Sequence, residues 1–299
     1  MCRTQSTQTG SRERVDIAVE SKSSKELNQD AGTVYLGQHC SAVAIADGVG
    51  SSFDAHIAAE LAVRVFLAGV EELDQQAIVM DVCAVRQLWG RVAQELRSYY
   101  TQHPIHYRER PTALQTTLAT VIELEERYLI SYLGNGSLFH IRGDFWSFWD
   151  RRWPWCITDL MLGHSFLGDT GKDVLYGIIA PIGLTAGVRF LELWKDKEYG
   201  DLLVLCSDGI SSPDHLRIGR DANDKLWIEV NPYLDALLNQ FLKPYFAQLG
   251  QQVDTRAMLM QTLDMFLKAQ TFNDDATLGI VISRQARDYY LAQHPGTTA

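Results

Sequence analysis

The chain has 299 residues, 46% hydrophobic and 21% charged, a globular composition long enough for one large domain or two small ones. Its net charge of −10 argues against an electrostatic grip on nucleic acid or anionic lipid, so neither partner is expected. Cys2, Cys40, Cys83, Cys156 and Cys206 are scattered without CxxC spacing, which indicates neither a zinc site nor a disulfide framework and suits a reducing cytoplasm.

The polar opening "MCRTQSTQTGSRER" has no apolar stretch of membrane length, and no such run follows. Residues 1–14 and 285–299 lack periodicity and are expected to be flexible, leaving 15–284 as one domain. Val34 to Ala46 reads as strand. Ile57, Leu61, Val65 and Ala68, then Ile78, Val82, Val85, Trp89, Val92 and Leu96, recur at helical spacing and predict two helices. "TTLATVIELEERYLISYLGNGSLFHIRG" predicts three strands of a meander, turning at Glu125-Glu126 and at Gly134 to Gly136. Leu202 to Cys206 is a further strand. Helices are expected from about Pro232 to Leu249 and Asp254 to Gln270, before a last strand, "ATLGIVIS". Sheets covered by helices, with mainly antiparallel strands, fit this order.

Asp30, Asp47, Asp208 and Asp274 each adjoin an apolar strand-like run. An Asp-Gly pair such as Asp47-Gly48 or Asp208-Gly209 is by itself an ordinary turn, and each acid alone is an ordinary loop aspartate. If the strands share one edge the acids converge, and converging carboxylates need a cation or a proton. Oxygen donors select magnesium, manganese or calcium over zinc, and a glycine lets its carbonyl approach a metal closely.

In order and spacing, "NQDAG", "ADGVGS", "QTTLA", "YLGNGSLFHI", "LLVLCSDGIS" and "NDDATLGIVI" resemble the metal-dependent serine/threonine protein phosphatases of the PPM type, in bacterial form, over roughly Val19 to Ile282. The resemblance implies an α+β fold, a four-layer α/β/β/α sandwich of two antiparallel sheets flanked by helices. It implies two Mn2+ or Mg2+ ions in a cleft at one end. Asp47 would bridge them, the Gly48 carbonyl would ligate one, and Asp208 and Asp274 would complete the other site, with Asp275 in the place of an asparagine. Asp30 would support the site through water. The implied activity is hydrolysis of phosphoprotein monoesters by water activated between the ions, opposing a serine/threonine kinase. A weakened phosphatase-like module that binds phosphoproteins, and a hydrolase of small phosphate metabolites, are the alternatives.

Several positions depart from the family pattern. Lys25 stands where the family holds phosphate with arginine, keeping charge but losing the bidentate fork; a solvated lysine is the other reading. Gln29 replaces a glutamate found in some members. Asn135 replaces an aspartate of a third, weak metal site, and its Asn-Gly pair is also a plain turn. Val49 and Ser52 lie near the place of a histidine acid; His56 nearby reads as a helix-surface residue or an acid. His164 follows Gly163 where relatives carry Asp-His-Ser. Trp146, Trp149, Trp153 and Trp155 with Arg151 and Arg152 read either as a partner-docking cluster or as cover for the core.

Overall fold

Side-chain alternation along one central strand separates the layers of the molecule. The computed structural model describes residues 14–24, 26–148, 157–167, 173–210, 216–220, 222–224, 226–230, 236–249 and 254–294. Strands β1 (Val15–Lys22), β2 (Asp30–Leu36) and β3 (Ser41–Asp47) come first. In β3, Ala42, Ala44 and Ala46 join the core under one helical layer, while Val43 and Ile45 join the core between the sheets. Successive side chains of a strand point to opposite faces, so the small residues admit helices closely and the branched ones fill the gap to a second sheet.

Helices α1 (Ala55–Gln75) and α2 (Val82–Gln102) form that outer layer. On α2, Val85, Trp89, Val92 and Leu96 are buried as their spacing predicts, and the Trp89 indole donates to Ser131 Oγ at 2.8 Å. Of the expected stripe on α1, Leu61 is buried and the other three positions are not. Ala58, Ala59, Ala62, Phe66 and Val70 are buried, Ala68 is exposed, and Ile57 and Val65 are half-buried. Small residues at the helix face match the β3 alanines, which turns the bulkier Ile57 and Val65 toward the rim. Ile78 is exposed in the connection ahead of α2.

The expected meander is instead a crossing between sheets. β4 (Leu118–Glu123) and β5 (Arg127–Leu133) pair, but β6 (Ser137–Arg142) leaves for the other sheet. The later strands are β7 (Ile157–Asp159), β8 (Ser165–Leu167), β9 (Asp173–Leu175), β10 (Ile179–Ala180), β11 (Gly183–Leu184), β12 (Arg189–Trp194), β13 (Asp201–Cys206), β14 (Leu216–Arg220), β15 (Leu226–Val230) and β16 (Ala276–Ser283). Two antiparallel sheets run β12-β5-β4-β3-β2 and β1-β16-β13-β6-β7. Gly134 (φ 135°) and Gly136 (φ 99°) carry the chain across, and a Cβ on Gly136 would lie 2.4 Å from the Cys206 carbonyl oxygen. Only a residue without a side chain passes there at low cost.

Ile17, Val43, Ile45, Val121, Ile130, Leu203, Leu205 and Val281 fill the space between the sheets. A π-helical stretch, Leu237–Leu242, runs into α3 (Lys243–Gln248); with α4 (Thr255–Ala269) and α5 (Arg284–Gln293) it covers the second sheet. Helix, sheet, sheet and helix form the four-layer α+β sandwich.

The C-terminal segment departs from its expected flexibility. Ser283 caps α5 by accepting from the Ala286 N–H, Ala286 and Tyr290 are buried, and Arg287 donates to Asp16 Oδ2 at 2.6 Å. Its apolar residues are few, so periodicity gives no warning of a helix held by a buried ion pair. No helix among the described residues is long and apolar enough to cross a membrane.

Candidate active site

β3 ends at Asp47 and β2 begins at Asp30, and the antiparallel register sets the two directly opposite. β4's leading threonines hold Asp47 from the other side: its N–H donates to Thr117 Oγ1 at 3.0 Å, while its carbonyl accepts from Thr117 N–H at 2.8 Å and Thr116 Oγ1 at 2.9 Å. Asp208 arrives from the second sheet, just beyond β13. Its neighbour Ser207 donates its N–H to the Thr277 carbonyl at 3.0 Å and accepts the Thr277 N–H at 2.9 Å, locking this turn to β16. A Cβ on Gly209 would lie 2.0 Å from the Asp275 carbonyl, so the Asp208 turn and the Asp274-Asp275 turn touch through bare backbone.

The Asp47 carboxyl lies beside those of Asp208 and Asp30. Burial, then the charges of Asp208 and Asp30, push its carboxyl well above the usual range. Asp30 is raised to about 6, chiefly by burial. Both Asp30 oxygens are buried without a hydrogen bond of good geometry, although Ser207, Thr277 and Asp47 flank them. Asn135, on the sheet-crossing turn, donates its Nδ2 to Asp208 Oδ2 at 2.7 Å.

The structure thus gathers Asp30, Asp47, Asp208 and Asn135. Asp274 is exposed, and its carboxylate accepts the Asp275 N–H at 2.9 Å. Asp275 is buried and accepts from Ser23 Oγ at 3.0 Å, Ser24 N–H at 2.8 Å and Gln29 N–H at 2.8 Å, so it anchors the segment ahead of β2. Gly48 donates its N–H to the Gln29 carbonyl at 3.1 Å, and a Cβ there would lie 2.7 Å from the carbonyl oxygens of both Ala55 and Gln29. Lys25 lies outside the described residues.

Among the described residues no three His, Cys, Asp or Glu side chains are spaced as a ready-made metal cage. The chemistry of the donors nonetheless fits a hard divalent cation. The set is oxygen only, Asp30 and Asp47 are pushed toward their protonated forms without a counter-charge, and the Asp30 oxygens are orphaned.

The threonines that fix Asp47 carry a weak local signal, an adjacent pair just before a strand. Ser52 donates to the Thr112 carbonyl at 2.6 Å and accepts the Gln115 N–H at 3.0 Å, which makes it a loop anchor. His164 is buried, its Nδ1 3.3 Å from the Gly134 carbonyl and its Nε2 3.0 Å from that of Gly187, so it braces the crossing turn. His56 is half-buried on α1. His106 and Tyr107 both bond Asp54 Oδ2, at 2.7 and 3.0 Å, holding the start of α1. Trp146 is half-buried and packs its ring 5.8 Å from Tyr290 and 4.6 Å from His294, against α5. Trp149, Trp153 and Trp155 lie outside the described residues.

Residues 20–150 match the family model described as Protein phosphatase 2C. No curated protein sequence matches the chain. Among solved structures, serine/threonine phosphatase Stp1 from Staphylococcus aureus is 13% identical with a TM-score of 0.58, covering 94% of this chain and 99% of that one. The Mycobacterium tuberculosis serine/threonine phosphatase PstP/Ppp is 17% identical with a TM-score of 0.56, covering 90% and 98%. The PstP catalytic domain in complex with two manganese ions is 17% identical with a TM-score of 0.54, covering 90% and 97%. At such identities the likeness is one of fold. Motif order, the match over residues 20–150 and the shared fold agree: the chain resembles the metal-dependent serine/threonine phosphatases of the PPM type, protein phosphatase 2C.

Proposed function

We propose that the chain is a cytoplasmic metal-dependent phosphatase of phosphoserine and phosphothreonine proteins, using two Mn2+ or Mg2+ ions. One observation carries this reading: Asp30, Asp47 and Asp208 meet across the two sheets, an arrangement that is unfavourable at neutral pH without positive charge. Asp47 and the Gly48 carbonyl would hold one ion, and Asp47, Asp208 and Asp274 the other, with Asp30 supporting through water. Bound there, the ions supply the charge that lowers the pKa of an attacking water and offsets the phosphoryl oxygens.

The chain's own residues do the rest. Thr116 and Thr117 keep Asp47 in place, and Lys25 holds phosphate by charge. Val49 has no proton to give a leaving alkoxide, so that proton comes from water. Aryl phosphates, whose leaving groups need no acid, should therefore turn over faster than phosphoserine peptides.

Manganese-dependent phosphate release, measured side by side on an aryl phosphate and on phosphothreonine and phosphoserine peptides, tests the proposal. Asp47→Asn should abolish turnover while circular dichroism stays unchanged. Residual hydrolysis above about a tenth of the parent, with unchanged metal stoichiometry, would sink the bridging role. A second reading, a phosphoprotein-binding module of weak turnover, draws on the Asn135–Asp208 hydrogen bond, which occupies a would-be ligand oxygen. Peptide binding without phosphate release would favour it.

A further inference from the structure

We infer that Arg97 is a positioning residue for the candidate site, acting through the β10–β11 hairpin; the metal-binding part of this inference rests on the phosphatase reading. Arg97 lies on the exposed side of α2, far in sequence from every motif. Its Nε donates to the Pro181 carbonyl at 3.0 Å and a terminal nitrogen donates to the Ile182 carbonyl at 3.1 Å. The planar guanidinium thus grips two successive carbonyls at the hairpin tip, which a lysine ammonium cannot do with the same geometry. Ile182 itself is 77% exposed and adds little packing to replace those bonds.

Behind the tip, Thr116 and Ile179 exchange two backbone hydrogen bonds, Thr116 N–H to Ile179 O at 3.1 Å and Ile179 N–H to Thr116 O at 2.8 Å. Thr116 also bridges to Gly48, and its hydroxyl donates to the Asp47 carbonyl. Gly48, Thr116 and Ile179 are therefore three rungs of a short ladder. At a strand spacing of about 4.8 Å, the hairpin sits roughly 10 Å from Gly48. The outer rung is only two residues long, too short to hold its register alone. Because Ile179 is fully buried, releasing the tip loosens the ladder without dissolving the core.

The test compares the full chain with Arg97→Ala, Arg97→Lys and Thr116→Val. Hydrogen exchange at the Thr116 and Ile179 amides should speed up about tenfold in Arg97→Ala, with Arg97→Lys intermediate and the melting temperature nearly unchanged. Manganese affinity by calorimetry should weaken about three- to tenfold in Arg97→Ala, and by a similar factor in Thr116→Val, which cuts the hydroxyl link to Asp47 with Arg97 intact. Unchanged exchange at Thr116 in Arg97→Ala would overturn the inference. So would faster exchange with unaltered manganese affinity. If the parent binds no manganese, the phosphatase reading fails by itself, while the exchange arm still decides whether Arg97 holds Thr116. Should Arg97→Ala fail to fold, Arg97→Lys, which keeps the charge and a good helix former, carries the same comparisons.

Discussion

Asp30 and Asp47 are acids in surroundings that favour the proton, Asp30 through burial and Asp47 through burial reinforced by its neighbours' charge. A carboxyl whose folded pKa is raised stabilises the fold fully below its unfolded pKa, and that contribution is lost as pH rises through the folded value. For Asp30 the window runs from about 4 to about 6, and the raised Asp47 carboxyl acts in the same direction. The metal-free chain should therefore melt at lower temperature at about pH 7.5 than at about pH 5, and Mn2+ should raise the melting temperature more at the higher pH. Scanning calorimetry at both values decides it; an equal manganese effect would mean these acids do not take the ion. Asn135→Asp replaces the donor facing Asp208 by a like charge. That variant should lose about 1 kcal/mol or more of metal-free stability while gaining a low-affinity phase in manganese titration. Identical binding curves would remove the third-site idea.

Elements here are tied by polar bonds of unequal worth. Arg287 on α5 reaches Asp16 on β1, a fully buried carboxylate that also accepts from Tyr245 OH at 2.7 Å and Thr255 Oγ1 at 2.9 Å. Arg287→Ala leaves that charge without its cation and should cost about 3 to 5 kcal/mol in urea unfolding. Adding Asp16→Asn should recover part of the loss, because the uncompensated charge goes too. By contrast, Lys268 and Asp264, four residues apart on the exposed face of α4, make a 2.7 Å pair worth at most about 0.5 kcal/mol. A cost for Arg287→Ala no larger than that would mean α5 is not latched through Asp16.

Across the whole molecule the two sheets meet where side chains are missing as much as where they are present. A Cβ on Gly279 would lie 2.8 Å from Val43 Cγ2 and 3.3 Å from Ile45 Cγ2, on strands of opposite sheets. Gly279→Ala should cost about 1 to 3 kcal/mol by overpacking this layer. Val43→Ala in the same chain should restore part of it, giving a coupling well above the roughly 0.5 kcal/mol expected of independent sites. Additive effects would show that the sheets can part without strain. The same packing brings β3 and β13 together at one end, so the Asp47–Asp208 meeting depends on this gap being correct.

What the sequence by itself determined is what local chemistry determines. Continuous apolar runs mark β3, β13 and β16, helical spacing marks the buried face of α2, and the Asp-Gly and Asn-Gly breaks mark where strands stop. Acids at strand ends, in a known order of motifs, named Asp30, Asp47, Asp208 and Asp274 as a group, of which the fold brings the first three together and leaves Asp274 exposed. Tertiary structure alone decided which sheet β6 joins, which stripe of α1 is buried, that residues 284–293 form a packed helix, and that Thr116 links Arg97's hairpin to Asp47. It also separated adjacent Asp274 and Asp275, one exposed and one buried against Ser23, Ser24 and Gln29. Each of these depends on a partner far along the chain, 271 residues away for Arg287 and Asp16. Local periodicity carries no information about such partners: it reports that a face is apolar or an end is acidic, and the contacts that use it form only when the layers close.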